Sequence, residues 1–273
     1  MPRPAAATSR ARTRVTAPSR PTIAASIGSA GVGASGAVMA GAYNVTVIGD
    51  EPEFSALVAA VAARYAGSGR LVAGYVAGKL RRDPVTRAVL AEAASGGLGE
   101  VVDLGCGRGQ LGVALLVAGA ARSVRGLEVA PRALAQAAQA GAGLAFRAEA
   151  RDLARDASVP AADTVLVVDV LYQLPDAAQA ELLAAAARAA RRLVVIRMLD
   201  PDRGARSALT VGLERLGRRL SPHSGAMVNP RPVAEAVSAF RAAGFAVAVR
   251  PCWAGTPFAN VLLIARREPL PPR

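Results

Sequence analysis

The chain has 273 residues, of which 52% are hydrophobic, and this is enough for one large domain with an appendage. Its formal net charge of +13 comes from 33 basic and 20 acidic residues, and all but one of the basic residues are arginine. Two cysteines, Cys106 and Cys252, exclude a disulfide framework and a four-cysteine zinc site, so we expect no metal site and a reducing, cytoplasmic location.

Residues 1–48 are predicted to be a disordered tail, because they are rich in Ala, Pro, Ser, Thr, Gly and Arg and show no hydrophobic periodicity. An acid-free, arginine-rich start is also typical of a targeting segment, and Met39 is an alternative beginning. The remaining arginines are scattered and match a codon bias, so we do not expect nucleic acid as a partner. No apolar run reaches the roughly 18 residues of a membrane span.

Residues 49–96 are predicted to form a helical cap. Asp50, Pro52 and Glu53 together signal a helix start, and apolar residues at helical spacing follow them. Two further helices are expected at 69–82 and 85–94, separated by the pair Asp83-Pro84.

Residues 97–268 are predicted to form an α/β core with a doubly wound, mostly parallel sheet, because strand-like and helix-like segments alternate. Two strand-like runs at the end, joined by a short loop, require an antiparallel hairpin and bring the sheet to seven strands. The strands are expected at 100–104, 123–128, 143–148, 163–169, 192–199, 245–250 and 260–265, and the helices at 109–120, 131–141, 175–190, 202–220 and 231–243.

The segment VVDLGCGRGQLG, residues 101–112, carries the strongest functional signal. An apolar strand ends on Asp103, and glycines at 105, 107 and 109 follow before a helical pattern begins. With the terminal hairpin, this pattern resembles the class I S-adenosylmethionine (SAM)-dependent methyltransferases over residues 95–267. The resemblance implies a Rossmann-like core and SAM as the cofactor.

The resemblance also implies a set of cofactor-binding residues at the carboxyl ends of the strands, where open α/β sheets bind ligands. The glycine turn would surround the methionine part, Glu128 would bind the ribose hydroxyls, Asp152 and Leu153 would contact the adenine, and Asp169 would border the methionine part and the acceptor. Each carboxylate has the alternative of capping a helix or lying in solvent. The full set is Asp103, Gly105, Cys106, Gly107, Gly109, Glu128, Val129, Asp152, Leu153 and Asp169.

Catalytic and acceptor-binding candidates rest on weaker signals. His223 is the only histidine and the one side chain whose ordinary pKa suits a base near neutral pH, although a loop histidine can simply be solvated. Tyr172 follows the fourth strand, where either packing or substrate contact would explain it. The acceptor candidates are Tyr75, Lys79 and Trp253, with Thr256 and Asn260 near the terminal hairpin. Lys79, Arg81 and Arg82 would attract a carboxylate or phosphate of the acceptor, with the alternative that they form a solvated helix face.

The sequence therefore predicts a SAM-dependent methyltransferase that acts on oxygen, nitrogen or carbon of a small or lipid-like metabolite. The segment after Asp169 lacks the [D/N]-P-P-[Y/F] pattern of enzymes that methylate exocyclic amines of DNA bases. An NAD(P)-dependent oxidoreductase that uses the G-x-G-x-x-G at 107–112 is one alternative. A non-catalytic SAM- or RNA-binding module is another, and the oligomeric state stays open.

Overall fold

The computed structural model describes residues 51–219 and 228–267, all of which belong to the compact unit Tyr43–Arg273. The predicted tail 1–48 lies outside these residues. Three helices precede the sheet: α1 (Glu51–Ala63), α2 (Arg70–Arg82) and α3 (Pro84–Glu92). Asp83 separates the last two because its carboxylate accepts a hydrogen bond from the Val85 amide while Pro84 starts α3.

A seven-stranded sheet follows, with the order β3-β2-β1-β4-β5-β7-β6. β7 runs antiparallel to both of its neighbours, and the other adjacent pairs are parallel, so the predicted fold class is confirmed. The strands are β1 (Glu100–Leu104), β2 (Ser123–Glu128), β3 (Phe146–Ala150), β4 (Ala162–Val168), β5 (Ala190–Leu199), β6 (Phe245–Pro251) and β7 (Asn260–Arg267). The helices of this part are α4 (Gln110–Val117), α5 (Pro131–Gly141), α6 (Asp176–Ala189), α7 (Ala205–Arg219) and α8 (Val233–Ala242).

Three predicted boundaries are wrong by three residues, namely the end of α4, the start of α7 and the start of β3. β3 was expected at 143–148 and begins at Phe146. Gly143 has a φ of +76°, so the chain turns there and leaves the end of α5 before it extends. Leu144 packs with the first helices instead of entering the sheet. The apolar side chain of Leu144 fits a strand pattern, but the left-handed conformation of Gly143 turns the chain before the strand begins.

The first two helices share a core with α4 and α5. Phe54, Val58 and Tyr65 pack with Val113 and Ala140 in one buried cluster. The Tyr65 hydroxyl also donates a 2.7 Å hydrogen bond to the Arg108 carbonyl, in the glycine turn after β1. This helical segment is thus packed against the sheet domain and fixes the turn that the sequence singles out.

The chain reverses its order of strand addition at β1, because β2 and β3 lie on one side of it and β4 and β5 on the other. In open α/β sheets this switch point opens a crevice at the carboxyl ends of the strands. Gly105 occupies the left-handed region there, with a φ of +68°, and a Cβ on it would lie 2.2 Å from Val170 Cγ2. The glycine turn therefore depends on glycine both for its backbone and for close packing.

Gly109 provides a test of this packing. Its φ is +76°, and a Cβ would lie 2.9 Å from both Ala137 Cβ and Phe146 Cζ, whereas Gly119 has a φ of +66° and open space around it. We expect Gly119→Ala to cost about 1 kcal/mol through its backbone alone. Gly109→Ala should cost about 1–3 kcal/mol more because of overpacking. Urea denaturation measures both, and equal losses would contradict the packing role.

Candidate functional site

A cleft of about 710 Å³ lies at the carboxyl ends of the parallel strands, beside the switch point. Its volume falls within the roughly 300–1,000 Å³ of small-molecule sites. Its walls come from α2, the glycine turn and the segments after β2, β3 and β4. The residues predicted from the sequence that line it are Tyr75, Lys79, Asp103, Gly105, Cys106, Gly107, Glu128, Val129, Asp152, Leu153 and Asp169.

Among the described residues, five other candidates do not line this cleft, namely Gly109, Tyr172, Trp253, Thr256 and Asn260. Thr256 and Asn260 line a second cavity instead. Gly109 is buried at the start of α4 and packs on Ala137 and Phe146. Tyr172 is buried in the short helical turn 171–173. Trp253 packs on the core, with the Arg203 guanidinium 5.2 Å from its ring. His223 lies outside the described residues.

Asp103 ends up in an electrostatically unfavourable position. It lies in the central strand β1, between Gly126 and Leu166, and only 2% of it is exposed. Burial, together with the negative charge of Glu128, raises the pKa of Asp103 to about 7. The described residues place no Lys, Arg or His within ion-pair distance of this carboxyl group. A cationic ligand group in the cleft would relieve the strain on its ionised form.

Glu128 holds the glycine turn against the end of β2. One carboxylate oxygen accepts hydrogen bonds from the amides of Val129 (2.9 Å) and Ala130 (2.8 Å), and the other accepts one from the Gly107 amide (2.8 Å). A carboxylate offers about four acceptor sites, so about one remains for a ligand hydroxyl. Sequence reasoning did not predict that Glu128 holds the glycine turn. Its position as an acid at the end of a strand was the signal that could have indicated this contact.

Two residues that line the cleft each have one buried polar atom without a hydrogen-bond partner, namely Nε of Arg108 and Oε1 of Gln110. Unsatisfied buried polar atoms are rare in native proteins and often mark a site that binds something polar. Gly107 follows Asp103 and precedes Arg108 in the chain. It has a φ of +58°, and a Cβ built on it would meet nothing within 4 Å. A ligand can therefore approach the backbone closely at this glycine.

Cys106 has a packing role in this turn. Burial and the neighbouring carboxylates of Asp103 and Glu128 raise the pKa of its thiol, so it stays neutral. A Cβ on Gly126 would lie 2.7 Å from its sulfur atom, which shows how closely β2 approaches the turn. Cys106 and Cys252 are both free and buried.

An ion network closes the other end of the cleft. The Arg197 guanidinium, on β5, binds both carboxylate oxygens of Asp169, with 2.6 Å from Nε to Oδ1, and also contacts Asp83. Lys79 Nζ lies 3.3 Å from Oδ2 of Asp83 and 3.6 Å from Oδ2 of Asp169. Lys79 is therefore ion-paired within the site, and the alternative of a merely solvated helix face does not hold.

The network keeps Asp169 ionised. Burial opposes ionisation, but the charges and hydrogen bonds of Arg197 and Lys79 hold the pKa of Asp169 below its usual value. Asp169 also has a φ of +62°, the only positive φ of a non-glycine residue in the described part of the chain. Sequence reasoning missed Arg197, which lies in an apolar stretch of β5 that was interpreted only as a buried strand. The one available signal was a single charged residue within that apolar stretch.

Comparisons with known proteins agree with this fold. The magnesium protoporphyrin IX methyltransferase of Synechocystis, solved with bound S-adenosylhomocysteine (SAH), has a TM-score of 0.53 and 23% identity, over 73% of this chain and 89% of that chain. An O-methyltransferase family protein from Burkholderia thailandensis has a TM-score of 0.56 and 20% identity, over 72% and 58%. The SAM-dependent methyltransferase SibL has a TM-score of 0.53 and 26% identity, over 73% and 58%.

The strand order and the glycine turn after β1 define the class of protein as one with the Rossmann-like fold of class I methyltransferases. Residues 101–192 match the family model described as a methyltransferase domain, which confirms the predicted resemblance. No curated protein matches the chain. Among the described residues, no helix is long and apolar enough to cross a membrane.

The raised pKa of Asp103 gives a pH-dependent prediction. The ordinary pKa of an aspartate is 3.8, and the pKa of Asp103 in the fold is about 7. The protonated carboxyl group therefore contributes its full stability below pH 4, and this contribution is lost as the pH rises to 7. We expect Asp103→Asn, which stays neutral, to raise the free energy of unfolding at pH 8 by on the order of 1–4 kcal/mol. At pH 4 the variant and the wild type should differ little.

Urea denaturation at both pH values tests this prediction, with the exposed Asp202→Asn as the control for loss of one carboxylate. The same stability difference at pH 4 and pH 8 would contradict the account of Asp103.

Proposed function

We propose that this chain is a SAM-dependent methyltransferase that binds its cofactor in the strand-end cleft and methylates oxygen, nitrogen or carbon of a small acceptor. The observation that carries the proposal is Asp103, a buried carboxyl group that lines the cleft without a cationic partner among the described residues. The methionine part of SAM carries an ammonium group, which is the charge that such a carboxylate would stabilise.

The other residues of the cleft fit the remaining parts of the cofactor. Glu128 keeps about one acceptor site for a ribose hydroxyl, so a contact with both hydroxyls would require it to release a backbone amide. Leu153 is a buried apolar wall suited to an adenine ring. Asp152 caps its own turn by accepting from the Ala154 amide at 3.0 Å, and its second oxygen lies 3.5 Å from Nε of Arg155. An adenine amino group would share that oxygen with the exposed Arg155 guanidinium.

SAM supplies a methyl group that its sulfonium has already activated. The chain then needs to align the acceptor and exclude water, which are the contributions of a preorganised cleft. Asp169 is poorly suited to take a proton, because Arg197 and Lys79 stabilise its ionised form. The ion network therefore fixes the side chains of Asp169 and Lys79 at the edge of the site. The catalytic base, where the acceptor needs one, stays unassigned.

The dinucleotide alternative is disfavoured by the same contacts. Gly107 lies in the G-x-G-x-x-G sequence, but its amide already donates to the Glu128 carboxylate. A pyrophosphate would have to displace that carboxylate and then lie beside two acids, Glu128 and Asp103, whose charges would repel it. No contact in the described residues favours the alternative of an RNA-binding module. A cytoplasmic location stays the prediction drawn from the cysteine content.

Isothermal titration calorimetry with SAH and with NADH, in parallel, tests the proposal. We expect micromolar binding of SAH and no binding of NADH. Asp103→Asn should weaken SAH binding about 10- to 100-fold, because one charge-assisted interaction is lost. Asp202→Asn, which removes an exposed carboxylate, is the control and should bind as the wild type does.

Binding of NADH alone would overturn the proposed function and leave the α/β fold standing. Unchanged SAH affinity in Asp103→Asn would remove the observation on which the proposal rests. Circular dichroism of each variant confirms that it is folded.

A further inference from the structure

A second cavity, of about 510 Å³, lies on the far side of the ion network and shares residues with the cofactor cleft. The shared lining residues are Tyr75, Lys79, Asp83 and Asp169. The two cavities therefore adjoin along these residues. If the cleft holds the cofactor, an acceptor bound in the second cavity lies next to it, and its reacting group enters the cleft past these side chains.

The charges around this second cavity are nearly all satisfied within the protein. Lys79 and Arg197 supply two positive charges, and Asp83 and Asp169 supply two negative charges, in direct contact with one another. Glu214, which also lines the cavity, has an interaction of its own. Arg82 remains: it is exposed at the edge of the cavity, which it lines, and among the described residues no acid lies within ion-pair distance of it.

Helix α2 leaves room for a ligand on this side. Gly74, Gly78 and Arg82 are four residues apart and so lie on one face of the helix, and all three line the cavity. A Cβ on either glycine would meet nothing within 4 Å. Glycine inside a helix is destabilising by roughly 0.5–1 kcal/mol relative to alanine. The two glycines therefore lower the stability of α2 and leave this face of the helix open.

The remaining lining is suited to an apolar body. Phe258 and Tyr75 contribute aromatic rings, and Cys252 contributes a buried thiol. Burial raises the pKa of this thiol to about 11, so it is neutral at physiological pH. The cavity thus combines an apolar wall and the polar side chains of Thr256 and Asn260 with one guanidinium that has no acidic partner among the described residues.

We propose that the second cavity binds the methyl acceptor, and that the acceptor is a small molecule with an apolar body and an anionic group bound by Arg82. This proposal rests on the proposed function, because it takes the first cleft as the cofactor site. A guanidinium binds carboxylates and phosphates through paired hydrogen bonds, so an uncharged analogue of the same shape binds less well.

Ligand-observed NMR titration with benzoate and with its uncharged isostere benzamide, in saturating SAH, tests the proposal. We expect benzoate to bind at least 10-fold more tightly than benzamide. Arg82→Gln should reduce benzoate affinity to the level of benzamide and leave SAH affinity unchanged, because Arg82 does not line the cofactor cleft. Arg81→Gln is the matched control, since Arg81 is exposed on the same helix as Arg82 is, but lines neither cavity.

Gly78→Leu provides an independent test, because it fills the cavity without a backbone penalty. Leucine is a better helix former than glycine, so this variant should fold and bind SAH as the wild type does. It should abolish benzoate binding.

Equal binding of benzoate and benzamide, wild-type benzoate affinity in Arg82→Gln or in Gly78→Leu, or no benzoate binding to a protein that binds SAH would each overturn this proposal alone. Failure to bind SAH at all would overturn the proposed function, and this proposal with it.

Discussion

The site depends on one unfavourable burial, that of the Asp103 carboxyl group in the central strand of the sheet. Its neighbours in the strands on either side are Gly126 and Leu166, and the nearest charge that affects it is the like charge of Glu128. Such a group destabilises a folded domain when it ionises. The carboxyl group lies at the switch point of the sheet and faces a cleft, where a bound ligand can contribute the missing positive charge. Proteins commonly lose some stability at functional sites in this way.

The surrounding structure keeps this cleft in shape through contacts between distant parts of the chain. Glu128 fixes the glycine turn through the Gly107 amide, and Tyr65 fixes the same turn through the Arg108 carbonyl. At the other side, Arg197 holds Asp169 in its left-handed backbone conformation. These contacts orient the walls before a ligand arrives, which is the condition for a precise binding site.

The sequence predicted the parts of this site that are local. Asp103, the glycine turn and Glu128 follow apolar strands at regular spacing, so their meeting at one sheet edge follows from parallel topology. The sequence did not predict Arg197, Tyr65 or the second cavity, because these depend on tertiary contacts between residues far apart in the chain. Gly109 shows the limit of the motif: it belongs to the glycine pattern, but it packs against α5 and β3 and does not line the cleft.

The most direct test of the central claim is the proton count on SAH binding at pH 7, obtained by calorimetry in two buffers with different ionisation enthalpies. Because the pKa of Asp103 is about 7 in the ligand-free fold, an ammonium group bound beside it should release roughly half a proton from the wild type. Asp103→Asn at saturating SAH should release none. Identical binding enthalpies of the wild type in the two buffers would contradict the account.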